Sequence, residues 1–290
     1  MKEELTFKEY LFQYGHSVST VKSYLYTVDN YLTSNPGAES YKYREVLKYI
    51  EGKVKEYNHS NSKNGLLAGI KKYYDYLIEL GKREDHPCRT IYIKGRRGRD
   101  IIHHDLFTTG ELELMMEREE RYQELKLKNQ LVISLLIYQG LTSGDIVAMK
   151  VRHVDLDKGT VYVKGQRRLS SRHIELHRTQ HRIIDKYISE ARPKLKRTET
   201  DALVLGKLGT PATTEDINYL TSTFKGLYPD RILNPKTIRQ SVISNWLNEK
   251  KYPIEQVQLM AGHKWISTTD KYRQSDMDEQ REMINKWFPI

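Results

Sequence analysis

Near its C-terminal end the chain carries a tyrosine and a histidine whose spacing favours a joint chemical role. The residues from Leu259 to Tyr272 predict a helix end, a sharp turn and a second helix, with Gly262 as the left-handed residue that closes the first helix. Ser267 is a suitable N-cap for the second helix, which would carry Tyr272 and leave His263 at the turn. An imidazole there can accept a proton from the phenol and so activate it as a nucleophile.

A second group of polar residues opens a helix upstream. Asn234 is a good N-cap and Pro235 a good first helical residue. Lys236 and Arg239 then stand three residues apart on one helix face. The guanidinium of Arg239 can bind two oxygens of a phosphate at once, and the ammonium of Lys236 can donate to the same group. Taken singly, the simpler interpretations are a surface arginine and, for His263, a helix-terminal histidine.

These two segments resemble the C-terminal motifs of the tyrosine recombinase family, which includes the phage integrases and the Xer-like recombinases. The family pattern is His-x-x-Arg, followed by Leu-x-Gly-His-x-x-x-x-Thr-Thr-x-x-Tyr. The chain has Gly-His, Thr-Thr and Tyr at the family spacing, from Gly262 to Tyr272. Arg239 matches the arginine of the first motif, and Lys236 stands where the family has histidine. The resemblance implies that Tyr272 is the nucleophile and that Arg239, His263 and Lys236 act on the phosphate.

A third motif departs from the family pattern at one position. From Gly140 to Met149 the chain reads Gly-Leu-Thr-Ser-Gly-Asp-Ile-Val-Ala-Met. The family has Thr-Gly-Leu-Arg-x, then Ser or Gly, then Glu-Leu. Thr142 therefore stands at the position of a catalytic arginine of the family. The loss of one donor to the phosphate typically slows such a reaction by about 10²–10³.

A β-hairpin is expected to carry further cations. Thr160–Val163 alternates like a strand, and Arg172–Leu176 is its expected antiparallel partner. Lys164 matches the family's hairpin lysine, which would protonate the leaving 5′-oxygen. The hairpin loop is longer than in the family, so Arg172 best matches the family's downstream arginine. We expect the missing arginine to be replaced by one of three hairpin residues: Arg167, Arg168 or Arg172.

The chemistry that the resemblance implies is a transesterification at a DNA phosphodiester. The hydroxyl of Tyr272 would attack phosphorus, form a 3′-phosphotyrosyl bond and release a 5′-hydroxyl. The bond energy stays in the adduct, so no cofactor is expected. Cationic side chains can stabilise the phosphorane without a metal. Cys88 is the only cysteine and the 10 histidines are scattered, so the sequence predicts no metal site.

The composition restricts the class of partner. A formal net charge of +10 and a pI near 9.3 indicate an acidic partner, for which nucleic acid is the usual choice and a membrane surface the rival. No apolar run approaches the roughly 20 residues of a membrane-spanning helix. The N-terminus lacks the apolar segment of a signal peptide. We therefore expect a cytoplasmic protein that binds double-stranded DNA and no membrane.

A chain of 290 residues is long enough for two domains. Residues 1–92 are predicted to form a bundle of about four helices, either an ordinary one or, by resemblance, the family's SAM-like core-binding domain. Residues 93–103 are a predicted basic linker and residues 104–290 a mixed α+β catalytic domain of the tyrosine recombinase type. The fold class is thus mainly α with a small antiparallel β-sheet. The linker cations can contact phosphates or simply be solvated: Lys94, Arg96, Arg97 and Arg99.

Apolar spacing predicts the following main helices: 43–57, 66–80, 127–139, 179–191, 213–227 and a last amphipathic helix, 277–287. In the family such a last helix often packs on a neighbouring subunit, and packing on the chain's own core is the alternative.

The leading hypothesis is a site-specific DNA recombinase or integrase that acts as a homo-oligomer, a tetramer on DNA, with accessory DNA-bending proteins as further partners. The first alternative is a catalytically weak or inactive recombinase-like DNA-binding protein. The second is a helical transcription regulator whose motifs match by chance.

Overall fold

The computed structural model describes residues 5–58, 60–93, 101, 105–120, 122–166 and 169–274. The chain divides into two compact units, residues 1–99 and 100–290. Helices dominate both units and the second adds a small sheet, so the expected fold class, mainly α with a small antiparallel β-sheet, is confirmed. The expected linker, residues 93–103, lies outside the described residues except for residues 93 and 101. The exact domain limits stay a prediction.

The described part of the first unit contains four helices: α1 (Phe7–Gln13), α2 (Val18–Ser34), α3 (Tyr43–Glu56) and α4 (Ser60–Glu79). Thr6 and Ser17 cap α1 and α2, each accepting a hydrogen bond from a backbone N–H in the first turn. The core contains aliphatic side chains and tyrosines, and the hydroxyl oxygens of Tyr31 and Tyr74 lie 2.7 Å apart within it. The helix expected to begin at residue 66 begins earlier, at Ser60. Its first turns are polar, so the apolar spacing in the sequence did not indicate them.

The second unit has nine helices in its described part, which we number as follows: α5 (Thr109–Glu113), α6 (Gln123–Gln139), α7 (Ser143–Ala148), α8 (Arg178–Lys186), α9 (Arg192–Leu195), α10 (Thr214–Ser222), α11 (Pro235–Asn248), α12 (Ile254–Ala261) and α13 (Ile266–Asp270). A π-helical turn, Tyr187–Ala191, joins α8 to α9. The helix expected over 213–227 ends at Ser222 and is followed by a short 3₁₀ turn, Lys225–Leu227. The expected last helix, 277–287, lies outside the described residues.

Three antiparallel strands form the sheet in the order β1 (Val154–Asp155), β2 (Thr160–Val163) and β3 (Arg172–Glu175). Val161 of β2 pairs with both neighbours, and Val161, Val163 and Ile174 are buried against the helices. The expected hairpin of β2 and β3 is therefore present. The sequence did not predict β1, because two residues are too few to show an alternating pattern.

Helix α11 lies at the centre of the elements that position the candidate site. It packs against α6 and α12, and α12 also packs against β3. Helices α6 and α12 both end in a left-handed glycine, Gly140 with φ 56° and Gly262 with φ 70°. The last carbonyl groups of two helices and the end of the hairpin thus come together beside α11. Within the described ranges, no helix combines the length and apolar character needed to cross a membrane.

Candidate active site

Arg239 is held by the ends of two helices. Helix α11 begins as expected, with Pro235 in its first turn and the side chain of Asn234 accepting from the N–H groups of Lys236 and Thr237. The side chain of Arg239 is buried. Its Nη1 donates to the carbonyl of Gly140 at 2.5 Å, and its Nη2 donates to that of Ala261 at 2.6 Å. A cation is favoured beside helix C-terminal carbonyls, so these contacts fix the guanidinium in place.

His263 lies directly beside that guanidinium. Its Nε2 is 3.4 Å from Nη2 of Arg239, and its Nδ1 is 2.9 Å from Oγ1 of Thr269. Arginine only donates hydrogen bonds, so Nε2 is the accepting nitrogen, and Nδ1 carries the hydrogen that it donates to Thr269. Burial, together with the charges of Arg239 and Arg172, lowers the pKa of His263 to about 4. The imidazole is therefore neutral at pH 7.

Tyr272 lies next to His263 but not on a helix. Its ring is 5.9 Å from the imidazole, centroid to centroid, with the two planes 20° apart. Helix α13 starts at Ile266 and ends at Asp270, so the expectations that Ser267 caps it and that it carries Tyr272 are wrong. The buried Thr269 turns inward to His263, and the carbonyl of Tyr272 accepts from Asn248 of α11 at 2.9 Å. These contacts hold the chain in a turn after Asp270.

Thr142, at the family's arginine position, is the N-cap of α7. Its Oγ1 accepts from the backbone N–H of Asp145 at 3.0 Å, while the carboxylate of Asp145 accepts from the N–H of Thr142 at 3.1 Å. This reciprocal capping box satisfies two N–H groups at the helix start. It also commits the short side chain of Thr142 to the backbone of its own helix.

Arg172 is buried against the same carboxylate. Its Nη2 lies 3.4 Å from Oδ2 of Asp145, its Nε donates to the carbonyl of Met260 at 2.9 Å, and its Nη1 donates to that of Ser170 at 3.3 Å. Asp145 is only 2% exposed and Arg172 only 7%. Burial lowers the pKa of Arg172, and the neighbouring carboxylate opposes that shift. A methyl group on Gly262 would lie 2.6 Å from Nη1 of Arg172, so the glycine allows this guanidinium to pack beside His263.

The remaining expected site residues are exposed or lie outside the described residues. Lys236 is exposed in the first turn of α11, whereas Arg239 is buried one turn later. Lys164 is exposed at the end of β2. The residues without a described position are these: Lys94, Arg96, Arg97, Arg99, Arg167 and Arg168. The structure thus brings Arg239, His263 and Tyr272 together, and the replacement of the missing arginine by Arg167, Arg168 or Arg172 stays a prediction.

Three residues in the site were given no role by the sequence. Thr269 and Asp145 lie within the quoted motifs, but only the structure shows that the first binds His263 and the second binds Arg172. Gln166 of the hairpin loop donates from Nε2 to Oδ1 of Asp145 at 3.2 Å. No local pattern in the sequence could have indicated this contact. No group of three potential metal ligands was found among the described residues.

The sequence of the chain is similar to those of tyrosine recombinases. The chain is 24% identical over 226 residues to the tyrosine recombinase XerC of Lactobacillus delbrueckii subsp. bulgaricus, covering 77% of this chain and 75% of the relative. It is 23% identical over 284 residues to the tyrosine recombinase XerD of Listeria innocua, covering 95% and 94%.

Solved structures with the same fold include a site-specific recombinase and a transposon integrase. A XerH site-specific recombinase bound to a palindromic difH substrate, in a post-cleavage complex, matches with a TM-score of 0.70 and 15% identity, covering 93% of this chain and 80% of that one. The Tn1549 transposon integrase in complex with a circular intermediate DNA matches with a TM-score of 0.66 and 14% identity, covering 97% and 98%.

A sequence model of the phage integrase family matches residues 106–279, more than half of the chain and all three of the motifs. The motif match is therefore not due to chance, which removes the basis for a helical transcription regulator. The arrangement of Arg239, His263 and Tyr272 and this match lead to one conclusion: the chain belongs to the phage integrase family.

Proposed function

We propose that the protein is a site-specific DNA recombinase that breaks and rejoins strands through a 3′-phosphotyrosyl intermediate on Tyr272. The observation that carries this proposal is the contact of three side chains from separate parts of the motifs. His263 lies 3.4 Å from Arg239 through its Nε2, and its ring is 5.9 Å from that of Tyr272. A nucleophile, a proton acceptor and a phosphate-binding cation therefore lie together.

The proposed first step is an in-line exchange at phosphorus. The phenolic oxygen of Tyr272 forms a bond to phosphorus, and the bond from phosphorus to the 5′-oxygen breaks. His263 accepts the phenolic proton at Nε2, and Lys164 donates a proton to the departing 5′-oxygen. A pKa near 4 makes the free imidazole a weak base. A bound phosphate would raise that pKa, because it brings negative charge beside the imidazole.

Arg239 supplies the electrostatic part of the mechanism. Burial and the nearby Arg172 lower its pKa to about 10, so it stays charged at pH 7. The carbonyls of Gly140 and Ala261 hold the guanidinium without neutralising it. It is therefore oriented before the phosphorane charge develops, and this is the condition under which a donor stabilises a transition state most. Lys236 is exposed at the start of α11, and its ammonium group would donate to the phosphate from the solvent-exposed side.

The alternative of a catalytically weak or inactive DNA-binding relative rests on Thr142. Its side chain is bound to the start of α7, and arginine at this position belongs to the family pattern. In either case the net charge of +10 supports binding to the phosphates of double-stranded DNA. Exchange of four strands needs four active sites, so we propose a homotetramer on DNA, with accessory DNA-bending proteins as further partners.

Covalent trapping tests this proposal. The target site is first isolated by selecting bound duplexes from a random library, and a nick is then placed near the cleavage position, so that the released 5′-end diffuses away. The wild-type protein should form a protein–DNA adduct, and Tyr272→Phe should form none. The control variant Tyr252→Phe, which changes another tyrosine of the same unit, should form the adduct like the wild type. A wild-type protein that binds the selected site and yields no adduct would establish the inactive alternative.

A further inference from the structure

At the start of α7, the side chain of residue 142 cannot reach a phosphate. The oxygen of Thr142 accepts from the N–H of Asp145 at 3.0 Å and is held at the helix terminus. A threonine is also much shorter than an arginine. If the site binds a phosphate, as the proposed function requires, a donor on this side must come from another element.

Among the described residues of the hairpin, Gln166 has its side chain at the start of α7. Its Nε2 is 3.2 Å from Oδ1 of Asp145. A methyl group built on Gly144 would lie 3.3 Å from the same nitrogen and 3.8 Å from Oγ1 of Thr142. The amide and the Thr142 hydroxyl therefore flank the same glycine. An amide nitrogen carries two hydrogens, and the bond to Asp145 uses one of them.

The backbone holds Gln166 close to the rest of the site. Its N–H donates to the carbonyl of Leu169 at 2.9 Å, and the N–H of Leu169 donates back at 3.0 Å. Leu169 also pairs with His263 as an isolated β-bridge, and the N–H of Ser170 donates to the carbonyl of Gly262 at 2.9 Å. Gln166 is itself exposed to solvent, so a bound strand can reach it.

Arg172 is less suited to the same role. Three of its donors are directed to Met260, Ser170 and Asp145, and only 7% of the residue is exposed. Its positive charge is also balanced by the carboxylate of Asp145, with which it forms an ion pair. Two of its five N–H groups are not used in these bonds, but the side chain is only 5% exposed, so it would have to be uncovered before a phosphate could reach them.

We propose that Gln166 donates a hydrogen bond to a non-bridging oxygen of the scissile phosphate and so takes over part of the role of the arginine that Thr142 replaces. Side-chain amides can stabilise a developing oxyanion in this way. The amide adds a donor without adding a charge, so it does not increase the repulsion between Arg172 and Arg239. Asp145 fixes its orientation by accepting from the other hydrogen. This inference rests on the proposed function.

The first test compares single-turnover adduct formation on the nicked duplex. Gln166→Ala should slow it by about 10²-fold, the scale of one lost oxyanion donor. The control, Gln256→Ala, removes an exposed glutamine of α12 and should react at the wild-type rate. Both variants should bind the duplex as tightly as the wild type. If the wild type itself forms no adduct, the recombinase proposal fails before any variant is compared; if Gln166→Ala reacts like the wild type, only the inference about Gln166 fails.

A second test separates a direct contact from a role in holding the hairpin. Two phosphorothioate stereoisomers at the scissile position each replace one non-bridging oxygen with sulfur, a poorer acceptor. A direct bond from Gln166 to one oxygen predicts that Gln166→Ala changes the ratio of the two rates relative to the wild type. An unchanged ratio, with both isomers slowed equally, would show that Gln166 only positions the hairpin and would overturn the proposal.

Discussion

Replacing Gly262 with alanine should disturb the site through Arg172 rather than through backbone strain alone. The new methyl group would lie 2.6 Å from Nη1, 2.9 Å from Cδ and 3.0 Å from Cζ of Arg172. Non-bonded carbon atoms pack at roughly 3.5–4.0 Å. Arg172 cannot move aside freely, because Met260, Ser170 and Asp145 all accept its hydrogen bonds.

Two contributions set the size of the effect. Gly262 has φ 70°, and alanine in that left-handed conformation costs about 1–2 kcal/mol. Displacing Arg172 from its buried acceptors costs about 1–3 kcal/mol more. Gly159→Ala is the matched control, since Gly159 has φ 63° in the same unit and its methyl group would meet only the imidazole of His181, at 3.2 Å. That control should lose about 1–2 kcal/mol.

Urea unfolding followed by tryptophan fluorescence measures this difference. All three tryptophans, at positions 246, 265 and 287, belong to the second unit, so the signal reports on that unit alone. Gly262→Ala should lower the free energy of unfolding by about 2–5 kcal/mol, clearly more than the control. Equal losses in the two variants would refute the argument that Arg172 is packed against this glycine.

Two further predictions concern His263 and Arg239. The pKa of His263 falls from 6.5 to about 4 on folding, so the unfolded chain takes up this proton first. The second unit should therefore lose about 2–3 kcal/mol of stability as the pH falls from about 6.5 to about 4. His263→Gln should flatten that dependence in urea titrations at several pH values, and an unchanged slope would contradict the assignment. Arg239→Lys keeps the charge but loses the fork that binds Gly140 and Ala261, so adduct formation should fall by about 10²–10³-fold. Arg152→Lys, at an exposed arginine of the same unit, should react like the wild type, and equal rates for both variants would refute the positioning of Arg239.

Local signals in the sequence predicted the elements that depend on neighbouring residues. Asn234 and Pro235 open α11 because an N-cap and a first-turn proline act within one helical turn. Gly262 ends α12 with the expected left-handed conformation. The alternating apolar residues of 160–163 and 172–176 likewise predicted the hairpin.

Contacts between distant residues could not be read in the same way. The pattern of Ser267 to Tyr272 suits a longer helix, but Thr269 binds His263, Asn248 binds the carbonyl of Tyr272, and the helix ends at Asp270. The burial of Arg172 on Asp145 joins the hairpin to the start of α7, 27 residues earlier in the chain. Such contacts depend on tertiary packing and leave no periodic signal.

The nucleophile is tested most directly by mapping the covalent adduct. The wild-type adduct is digested with protease and nuclease, and the peptide that carries the nucleotide is sequenced by mass spectrometry. The account predicts a nucleotide on Tyr272 and no adduct with Tyr272→Phe. A nucleotide found on any other of the 21 tyrosines, or an adduct that persists in Tyr272→Phe, would contradict it.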